Sequence, residues 1–208
     1  MEDIILIGYG GHGKSVEDAI LSMNKYNLVG YTDLKKHENS SLRYLGKDDT
    51  LEKIYADGIC NAAVGIGFMG NSNVRDKLYE KLSLIGFNLP PIIDSSAVIA
   101  ESSEIGMGAF IGKKAVVNSY SYIGDMAIVN TGSIIEHETK VEKFSHVAVG
   151  AVICGNVTIK DHSFIGAGAT VIQGITIGSS SIIGAGTLVI DNVEKNSTIV
   201  GVPGRRIK

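Results

Sequence analysis

The hydrophobic and polar positions of this 208-residue chain follow two different patterns, one in each half. In the first half, short apolar runs alternate with helix-like segments. In chain order these are the apolar run 4–7, the helical segment 14–23, the apolar runs 28–31 and 62–66, and the helical segment 71–85. Such alternation is typical of a parallel β-sheet covered by helices. We therefore predict a small α/β domain over residues 1–89, followed by a junction at Pro90-Pro91.

The second half repeats every six residues. From Ile93 to Val189, each of seventeen successive positions at that spacing is Ile or Val, and most residues four places later are small. Period six is typical of a parallel β-helix, in which three hexapeptides close one coil of a triangular prism. The β-branched side chains then fill the axis. The glycines that often follow them are expected to turn the corners: Gly106, Gly112, Gly124, Gly166, Gly178 and Gly184. We predict this β-helix over residues 90–200, with a tail at 201–208.

The composition argues against several classes of function. The formal net charge is -3 with acidic and basic residues interspersed, so the chain has no basic stripe for nucleic acid and no polybasic segment for a membrane surface. Cys60 and Cys154 lack the spacing of a disulfide framework or a zinc site. The first residues are too acidic for a secretory signal, and no apolar run is long enough to span a bilayer. We expect a cytoplasmic protein that contacts neither nucleic acid nor membrane.

A glycine-rich loop, Gly8 to Ser15, follows the first apolar run and fits both a P-loop and a dinucleotide fingerprint. The P-loop reading lacks a second strand that ends in the Asp needed to hold magnesium. The dinucleotide reading is supported by Asp33, an acidic residue about twenty positions after the loop. Residues 1–89 suffice for one mononucleotide-binding half only. We therefore expect one nucleoside diphosphate at the N-terminus of a helix that begins near Lys14; the alternative is a tight turn without a ligand.

The repeat half contains a histidine in an unusual polar setting. His137 is flanked by Glu136 and Glu138. Because neighbouring strand residues point to opposite faces, a His–Glu pair there requires a corner of the prism. A carboxylate bonded to one ring nitrogen fixes the tautomer and raises the basicity of the other, as a general base requires. His146, nine residues later, is expected to face the same groove from the next coil turn; a structural or solvated role is the alternative for both.

The other histidines receive different predictions. His12 lies in the glycine loop and is a candidate contact for a sugar or phosphate, whereas His37 and His162 are predicted to be solvated surface residues. His137, His146 and His162 lie nine and sixteen residues apart and therefore do not repeat by coil. We expect no shared metal ion from them, which argues against a carbonic anhydrase built on the prism.

Motifs along the whole chain carry a family resemblance. In order these are Gly10-Gly11-His12-Gly13, Gly30-Tyr31-Thr32-Asp33, Asn130-Thr131-Gly132, Ile135-Glu136-His137-Glu138, Phe144-Ser145-His146 and Gly201-Val202-Pro203-Gly204-Arg205-Arg206. They resemble the nucleotide-sugar N-acetyltransferases of the bacillosamine pathway, with sialic-acid O-acetyltransferases as broader relatives among the hexapeptide-repeat acyltransferases. The resemblance implies an α/β N-terminal Rossmann-like half domain followed by a C-terminal left-handed parallel β-helix, assembled as a homotrimer. Leu34 stands where a close relative has a second acid, which affects the sugar contacts.

The resemblance also implies the roles of individual residues. His137 is expected to be the catalytic base and Glu138 the acid that tunes it. The co-substrate acetyl-CoA is expected at His146 (acetyl end), Gly155 (N–H to the thioester oxygen), and the backbone of Ala167 and Ala185 (pantetheine). The UDP-sugar is expected at Gly10, Gly11, His12, Asp33 and Gly67.

We therefore expect an acetyl-CoA-dependent N-acetyltransferase. In it, His137 deprotonates the 4-amino group of a UDP-4-amino-4,6-dideoxysugar, and the amine attacks the thioester directly without a metal. Three alternatives stay open: a sialic-acid-type sugar O-acetyltransferase, a GDP-amino-sugar N-acetyltransferase, and a non-catalytic scaffold that binds nucleotide sugars.

Overall fold

A computed structural model describes residues 1–38, 40–68, 70 and 73–208. The chain divides into two compact units. The first comprises residues 1–67 and 73–95, and the second comprises residues 68–72 and 96–208. The predicted boundary at residue 89 lies within the first unit, which ends at Ser95.

The first unit is a parallel sheet with helices, as the alternating pattern predicted. Its strands are β1 (Glu2–Ile7), β2 (Tyr26–Thr32), β3 (Tyr44–Gly46) and β4 (Asn61–Val64), and its helices are α1 (Gly11–Met23), α2 (Leu51–Ala56) and α3 (Val74–Ile85). The strand order is β3-β2-β1-β4. The apolar run Ile4 to Ile7 is fully buried because β1 is an inner strand with neighbours on both sides.

Three features of this unit differ from the sequence prediction. Helix α1 begins at Gly11 rather than near Lys14. The short elements β3 and α2 were not predicted, because neither is long enough to show a clear hydrophobic period. The predicted helix 71–85 begins at Val74 among the described residues, and positions 71 and 72 lie outside them.

The hexapeptide prediction is confirmed position by position. Each of the seventeen predicted Ile or Val positions is the second residue of a two-residue strand. These strands are β5 (Ile92–Ile93), β6 (Val98–Ile99), β7 (Glu104–Ile105), β8 (Phe110–Ile111), β9 (Val116–Val117), β10 (Tyr122–Ile123), β11 (Ile128–Val129), β12 (Ile134–Ile135), β13 (Lys140–Val141), β14 (His146–Val147), β15 (Val152–Ile153), β16 (Thr158–Ile159), β17 (Phe164–Ile165), β18 (Thr170–Val171), β19 (Thr176–Ile177), β20 (Ile182–Ile183) and β21 (Leu188–Val189).

Strands stack into three parallel ladders, which form the faces of a triangular prism. Partners lie one coil of eighteen residues apart, as in Ile134 opposite Val152. The first face holds β6, β9, β12, β15, β18 and β21, and the second holds β7, β10, β13, β16 and β19. The third face holds β8, β11, β14, β17 and β20. The aliphatic side chains from Ile111 onward are buried along the axis, where their removal from water stabilises the prism.

The residues with a left-handed backbone at the corners of the prism are not the glycines that the sequence analysis predicted there. Every sixth residue from Gly108 to Gly186 has φ between 53° and 73°, and many of these residues are not glycine. The glycines that follow the aliphatic positions have a different reason: a Cβ at Gly166 would lie 2.5 Å from the Ala185 nitrogen, and one at Gly178 would lie 2.4 Å from the Lys195 nitrogen. They allow adjacent coils to approach closely, so the expectation that they make the corners was wrong.

The last coil is shorter and the tail folds back. Ile182 pairs with Thr198, sixteen residues on, in strand β22 (Thr198–Val200). Strand β23 (Arg205–Arg206) then pairs antiparallel with β22, so the predicted tail 201–208 closes this end of the third face. Among the described residues, every helix is too short or too polar to cross a bilayer.

Candidate active site

The glycine loop lies at the carboxyl ends of β1, β2 and β4, and its glycines have two roles. Gly8 N–H donates to the Thr32 carbonyl at 2.8 Å, and a Cβ at Gly13 would lie 2.4 Å from the Gly8 oxygen. Gly13 is therefore required for close packing of helix on strand. At Gly10 and Gly11, by contrast, none of the described atoms lies within 4 Å of an added Cβ. These two glycines leave space above the first turn of α1.

That open space is suited to an anion. Gly10 caps α1, and no acidic residue occupies the first turn of that helix. The N–H groups of a first helical turn have no intrahelical acceptors and carry the positive end of the helix dipole. A phosphate group can therefore approach the backbone at Gly10 and Gly11. Gly67 lies beside the same turn, since its Cβ would be 3.5 Å from the His12 Cβ.

Asp33 is held rigidly at the end of β2. Its Oδ2 accepts the Tyr9 N–H at 2.7 Å and lies 3.1 Å from His37 Nε2, while Oδ1 accepts the Leu34 N–H at 2.6 Å. Burial acts to raise the pKa of Asp33, but these hydrogen bonds outweigh it and the pKa lies below the ordinary 3.8. Asp33 is therefore a fixed carboxylate beside the glycine loop, whereas the neighbouring Leu34 is 82% exposed.

The prediction that His37 is a solvated surface residue was wrong. Its ring packs edge-on against Tyr9 and Tyr31, with ring centroids 5.6 and 5.9 Å away. The backbone N–H of His37 donates to the Tyr31 hydroxyl at 2.8 Å. The surrounding charged sequence conceals this packing, because the aromatic partners come from the ends of β1 and β2. Spacing alone offered one signal, namely that His37 lies four residues after Asp33.

His137 and Glu138 form the expected pair at a corner of the prism. They follow β12 and lie between the first and second faces. Glu138 has φ 58°, and this left-handed residue breaks the strand alternation so that its carboxylate Oε2 lies 3.2 Å from His137 Nδ1. Glu136 faces elsewhere and accepts from Asn118 Nδ2 at 3.0 Å. The imidazole is 57% exposed, so substrate-sized molecules can reach it.

Gly155 lies directly beneath this imidazole, one coil further on. A Cβ at Gly155 would come within 2.5 Å of both Nε2 and Cε1 of His137. Among the described residues, the Gly155 N–H has no hydrogen-bond acceptor. The ring nitrogen that Glu138 does not contact therefore lies beside an available backbone donor. Acyl transfer uses a general base and a backbone N–H donor, and an imidazole and a backbone amide lie close together at this corner.

His146 lies elsewhere, on the third face of the prism in β14. It is buried, and its Nδ1–H donates to the Phe68 carbonyl at 2.6 Å while Nε2 lies 3.2 Å from Asn130 Nδ2. The ring also packs edge-on against Phe164 at 5.2 Å. Within one chain the expected groove shared with His137 is therefore not formed. The strand ladder places Ile128 directly opposite His146. The ladder therefore did not reveal Asn130, two residues later, as a partner of the ring.

Ala167 and Ala185 lie together at a third location. They occupy the corner between the third and first faces, one coil apart, where the Gly186 N–H donates to the Ala167 carbonyl at 2.9 Å. Both are exposed, so a ligand can run along their backbone. The chain thus brings His137, Glu138 and Gly155 together at one corner and the two alanines together at another.

His162 also differs from its predicted surface position. It stacks on Phe144 with 5.2 Å between ring centroids and 17° between planes, and its Nδ1 lies 2.9 Å from Asp161 Oδ2. The side chain is 27% exposed. Among the described residues, no group of three or more His, Cys, Asp or Glu side chains is arranged to hold a metal ion.

The chain combines a nucleotide-type glycine loop with a hexapeptide prism, and a known protein family matches each of the two parts. The family described as PglD N-terminal domain matches residues 3–82, and the bacterial transferase hexapeptide family (six repeats) matches residues 156–191. The chain is 32% identical over 116 residues to UDP-N-acetylbacillosamine N-acetyltransferase of Bacillus subtilis (strain 168), a match that covers 53% of this chain and 51% of that protein. The chain thus spans about half the length of this curated relative.

Solved structures match over the whole chain. PerB of Caulobacter crescentus in complex with CoA and GDP-perosamine has a TM-score of 0.94 at 29% identity, covering 100% of this chain and 98% of that one. The acetyltransferase domain of PglB from Neisseria gonorrhoeae FA1090 in complex with acetyl coenzyme A has a TM-score of 0.93 at 29% identity, covering 99% of each chain. The chain therefore carries a PglD N-terminal domain and hexapeptide repeats, and it is similar to sugar N-acetyltransferases of the bacillosamine and perosamine type. Its fold class is the expected one, a Rossmann-like half domain followed by a left-handed parallel β-helix.

Proposed function

We propose that this protein transfers the acetyl group of acetyl-CoA to the 4-amino group of a UDP-linked 4-amino-4,6-dideoxysugar. The observation that carries the proposal is the corner at which Glu138 Oε2 lies 3.2 Å from Nδ1 of an exposed His137 while Gly155 lies against the opposite side of the ring. The open glycine loop at the start of α1 supports a nucleoside diphosphate as the handle of the sugar.

In the proposed reaction Glu138 accepts a hydrogen bond from His137 Nδ1–H, which leaves the Nε2 lone pair as the base. Nε2 removes a proton from the amine as its nitrogen attacks the thioester carbonyl. The Gly155 N–H donates to the oxyanion of the tetrahedral intermediate. Collapse of the intermediate breaks the C–S bond, and the CoA thiolate takes the proton back from His137. No covalent enzyme intermediate and no metal are needed.

We further propose a homotrimer, because the first face of the prism is apolar on its outer side. The second residue of each strand points inward, so the first points outward. On the first face these outward residues are Val98, Val116, Ile134, Val152, Thr170 and Leu188, whereas on the second face they are Glu104, Tyr122, Lys140, Thr158 and Thr176. Val98 is 63% exposed. An apolar stripe of this kind is typical of an interface between subunits.

Packing of the first face around a threefold axis would also complete the acetyl-CoA site. That face is flanked by the corner of His137 and Gly155 on one side and by the corner of Ala167 and Ala185 on the other. In a closed ring of three copies, the corner of His137 and Gly155 in one copy meets the corner of Ala167 and Ala185 in the next copy. We propose that acetyl-CoA lies in this cleft, with pantetheine along Ala167 and Ala185 and the acetyl end at His137 of the neighbouring copy.

A GDP-linked amino sugar is the second candidate substrate. It is supported by the likeness over the whole chain to PerB, whose structure holds CoA and GDP-perosamine. UDP is placed first because the curated relative is named UDP-N-acetylbacillosamine N-acetyltransferase. A cytoplasmic location stays a prediction.

The experiment is a thiol-release assay with acetyl-CoA and a matched panel of acceptors. UDP- and GDP-4-amino-4,6-dideoxysugars are compared with the corresponding 4-hydroxy sugars and with free sialic acid. We expect release with a UDP-amino sugar and none with the hydroxy sugars. Preference for the GDP-amino sugar would select the second candidate, release with a hydroxy sugar or sialic acid would indicate O-acetylation, and binding without release from any acceptor would indicate a scaffold.

A further inference from the structure

Arg75 is a charged residue at a core position of the first unit. It lies in the first turn of α3 on the same helix face as Leu78 and Leu82, and only 2% of its surface is exposed. Burial lowers the pKa of Arg75 to about 10, while the charge of Asp76 acts in the opposite direction. The guanidinium therefore stays protonated at neutral pH. Burying a charge is costly, so an apolar residue at this position would pack at a lower cost unless the charge serves a purpose.

The Arg75 side chain is directed at the loop that follows β4. Its Nη1 donates to the Ile66 carbonyl. This loop in turn packs tightly on the glycine loop: a Cβ at Gly8 would meet Ile66 Cγ1 at 2.6 Å, and a Cβ at Gly65 would lie 2.3 Å from the Gly8 oxygen and 2.7 Å from the Gly13 Cα. The loop that carries Ile66 is therefore in direct contact with the glycine loop, and a displacement of the first is expected to displace the second.

We propose that Arg75 is a positioning residue for the diphosphate of the nucleotide sugar, fixing residues 65–67 against the glycine loop and adding a buried positive charge near the first turn of α1. The inference rests on the proposed function, in that a nucleoside diphosphate is the expected ligand of that turn. A diphosphate carries negative charge, which a nearby fixed cation attracts.

The experiment compares Arg75→Met, which removes the charge at similar length, with Arg75→Lys, which keeps it. We expect Arg75→Met to raise KM for the nucleotide sugar by roughly 10-fold or more, as the loss of a hydrogen bond from a charged donor predicts. Turnover at saturation and KM for acetyl-CoA should change less than about twofold, because the prism is untouched. Arg75→Lys should lie closer to the wild-type protein.

Leu78→Ala is the matched control on the same helix face. A cavity there should lower the melting temperature while leaving KM for the nucleotide sugar unchanged, so loss of stability alone cannot imitate the effect. Should Arg75→Met fail to fold, Arg75→Gln gives the same comparison with a neutral donor. KM values of the neutral variants within about twofold of the wild-type value would overturn the inference.

Direct titration of the same variants with UDP and with uridine separates this inference from the proposed reaction. We expect the neutral variants to lose most of the preference for UDP over uridine, and Arg75→Lys to retain it. Equal preference in all variants would overturn the role of Arg75 even if turnover were never observed. Failure of the wild-type protein to release thiol, with this preference intact, would overturn the reaction but not the diphosphate site.

Discussion

Two corners of the prism carry the same local arrangement, a histidine hydrogen-bonded to an adjacent acid, and they differ in what surrounds the ring. His137 is 57% exposed and lies over Gly155, whereas His162 is 27% exposed and stacks on Phe144. At the second corner, Asp161 is also held by Ser179 Oγ at 2.6 Å. A His–Asp or His–Glu pair therefore does not define a base. What distinguishes His137 is an accessible second nitrogen beside a backbone donor.

Replacing His137 or His162 by Ala should produce the largest difference in turnover between the two corners. We expect His137→Ala to lower turnover by ~10²- to 10⁴-fold through loss of the base, with little change in melting temperature. His162→Ala should leave turnover within about twofold and lower the melting temperature, because it removes a stacked ring. Steady-state thiol release and thermal melts measure both effects, and equal losses of turnover in the two variants would contradict the assignment.

A charge on the apolar face tests whether the His137 corner needs a second chain. Val152→Lys places an ammonium among the outward residues of the first face and should dissociate the proposed trimer, lowering turnover roughly 100-fold because an unpaired charge in an interface is strongly unfavourable. Thr158→Lys on the second face is the matched control and should leave assembly unchanged. Sedimentation velocity reports the assembly; a Val152→Lys protein that stays trimeric would remove this face from the interface.

The acid of each pair offers a finer comparison. Glu138→Gln keeps the shape but weakens the hydrogen bond to His137 Nδ1, and we expect a loss of about 10- to 100-fold in turnover, the usual effect of an outer-shell carboxylate on histidine. Asp161→Asn should leave turnover unchanged. Kinetics at saturating substrates, where KM effects vanish, distinguish the two, and an unaffected Glu138→Gln enzyme would exclude Glu138 from tuning the base.

Gly155→Ala should produce a smaller effect by moving the ring rather than removing it. The new methyl would lie 2.5 Å from Nε2 and Cε1 of His137, so the imidazole has to rotate. We expect roughly a 10-fold loss of turnover, in line with the sensitivity of catalysis to misplacement of a reacting group. Unchanged kinetics would show that the ring has a second productive position.

Replacement of Asp161, at the corner of His162, should show the smallest effect. We expect it to change how the stability of the protein depends on pH in the acidic range. The hydrogen bond from Ser179 is the main reason that the pKa of Asp161 lies below its ordinary 3.8; burial opposes it and His162 adds to it. A carboxyl whose pKa is lowered by folding contributes stability above pH 3.8 that is lost as the pH falls through the folded-state pKa. Asp161→Asn should therefore melt at a lower temperature near neutral pH and lose less stability than the wild-type protein on acidification. Parallel slopes below about pH 4 would contradict this.

The sequence predicted the prism well because its signal is local and repeated. Every coil repeats the same six-residue pattern with an inward Ile or Val, and all seventeen of these aliphatic positions lie in strands. The corner conformation was not predicted, because left-handed residues such as Glu138 and His162 are not glycine and carry no recognisable signal. The His137 pair was nevertheless assigned to a corner, because adjacent residues of a strand point to opposite faces and could not pair there.

The first unit was harder to predict, because its important contacts depend on tertiary structure. The packing of His37 on Tyr9 and Tyr31 joins the ends of two strands, and the contact of Arg75 with Ile66 joins a helix to a loop. Neither pair has a fixed spacing in sequence. The glycine loop was recognised, yet only the packing distances separate Gly13, needed by the fold, from Gly10 and Gly11, which are open to a ligand.

The most direct test of the role of His137 is chemical rescue. Thiol release by His137→Ala is measured on the nucleotide amino sugar with increasing imidazole, beside the wild-type protein and His162→Ala. Because the native ring is 57% exposed, free imidazole can enter the vacated position. We predict that imidazole restores activity to His137→Ala alone, in proportion to its concentration; near-normal turnover of that variant without imidazole, or equal stimulation of all three proteins, would contradict the assignment of His137 as the base.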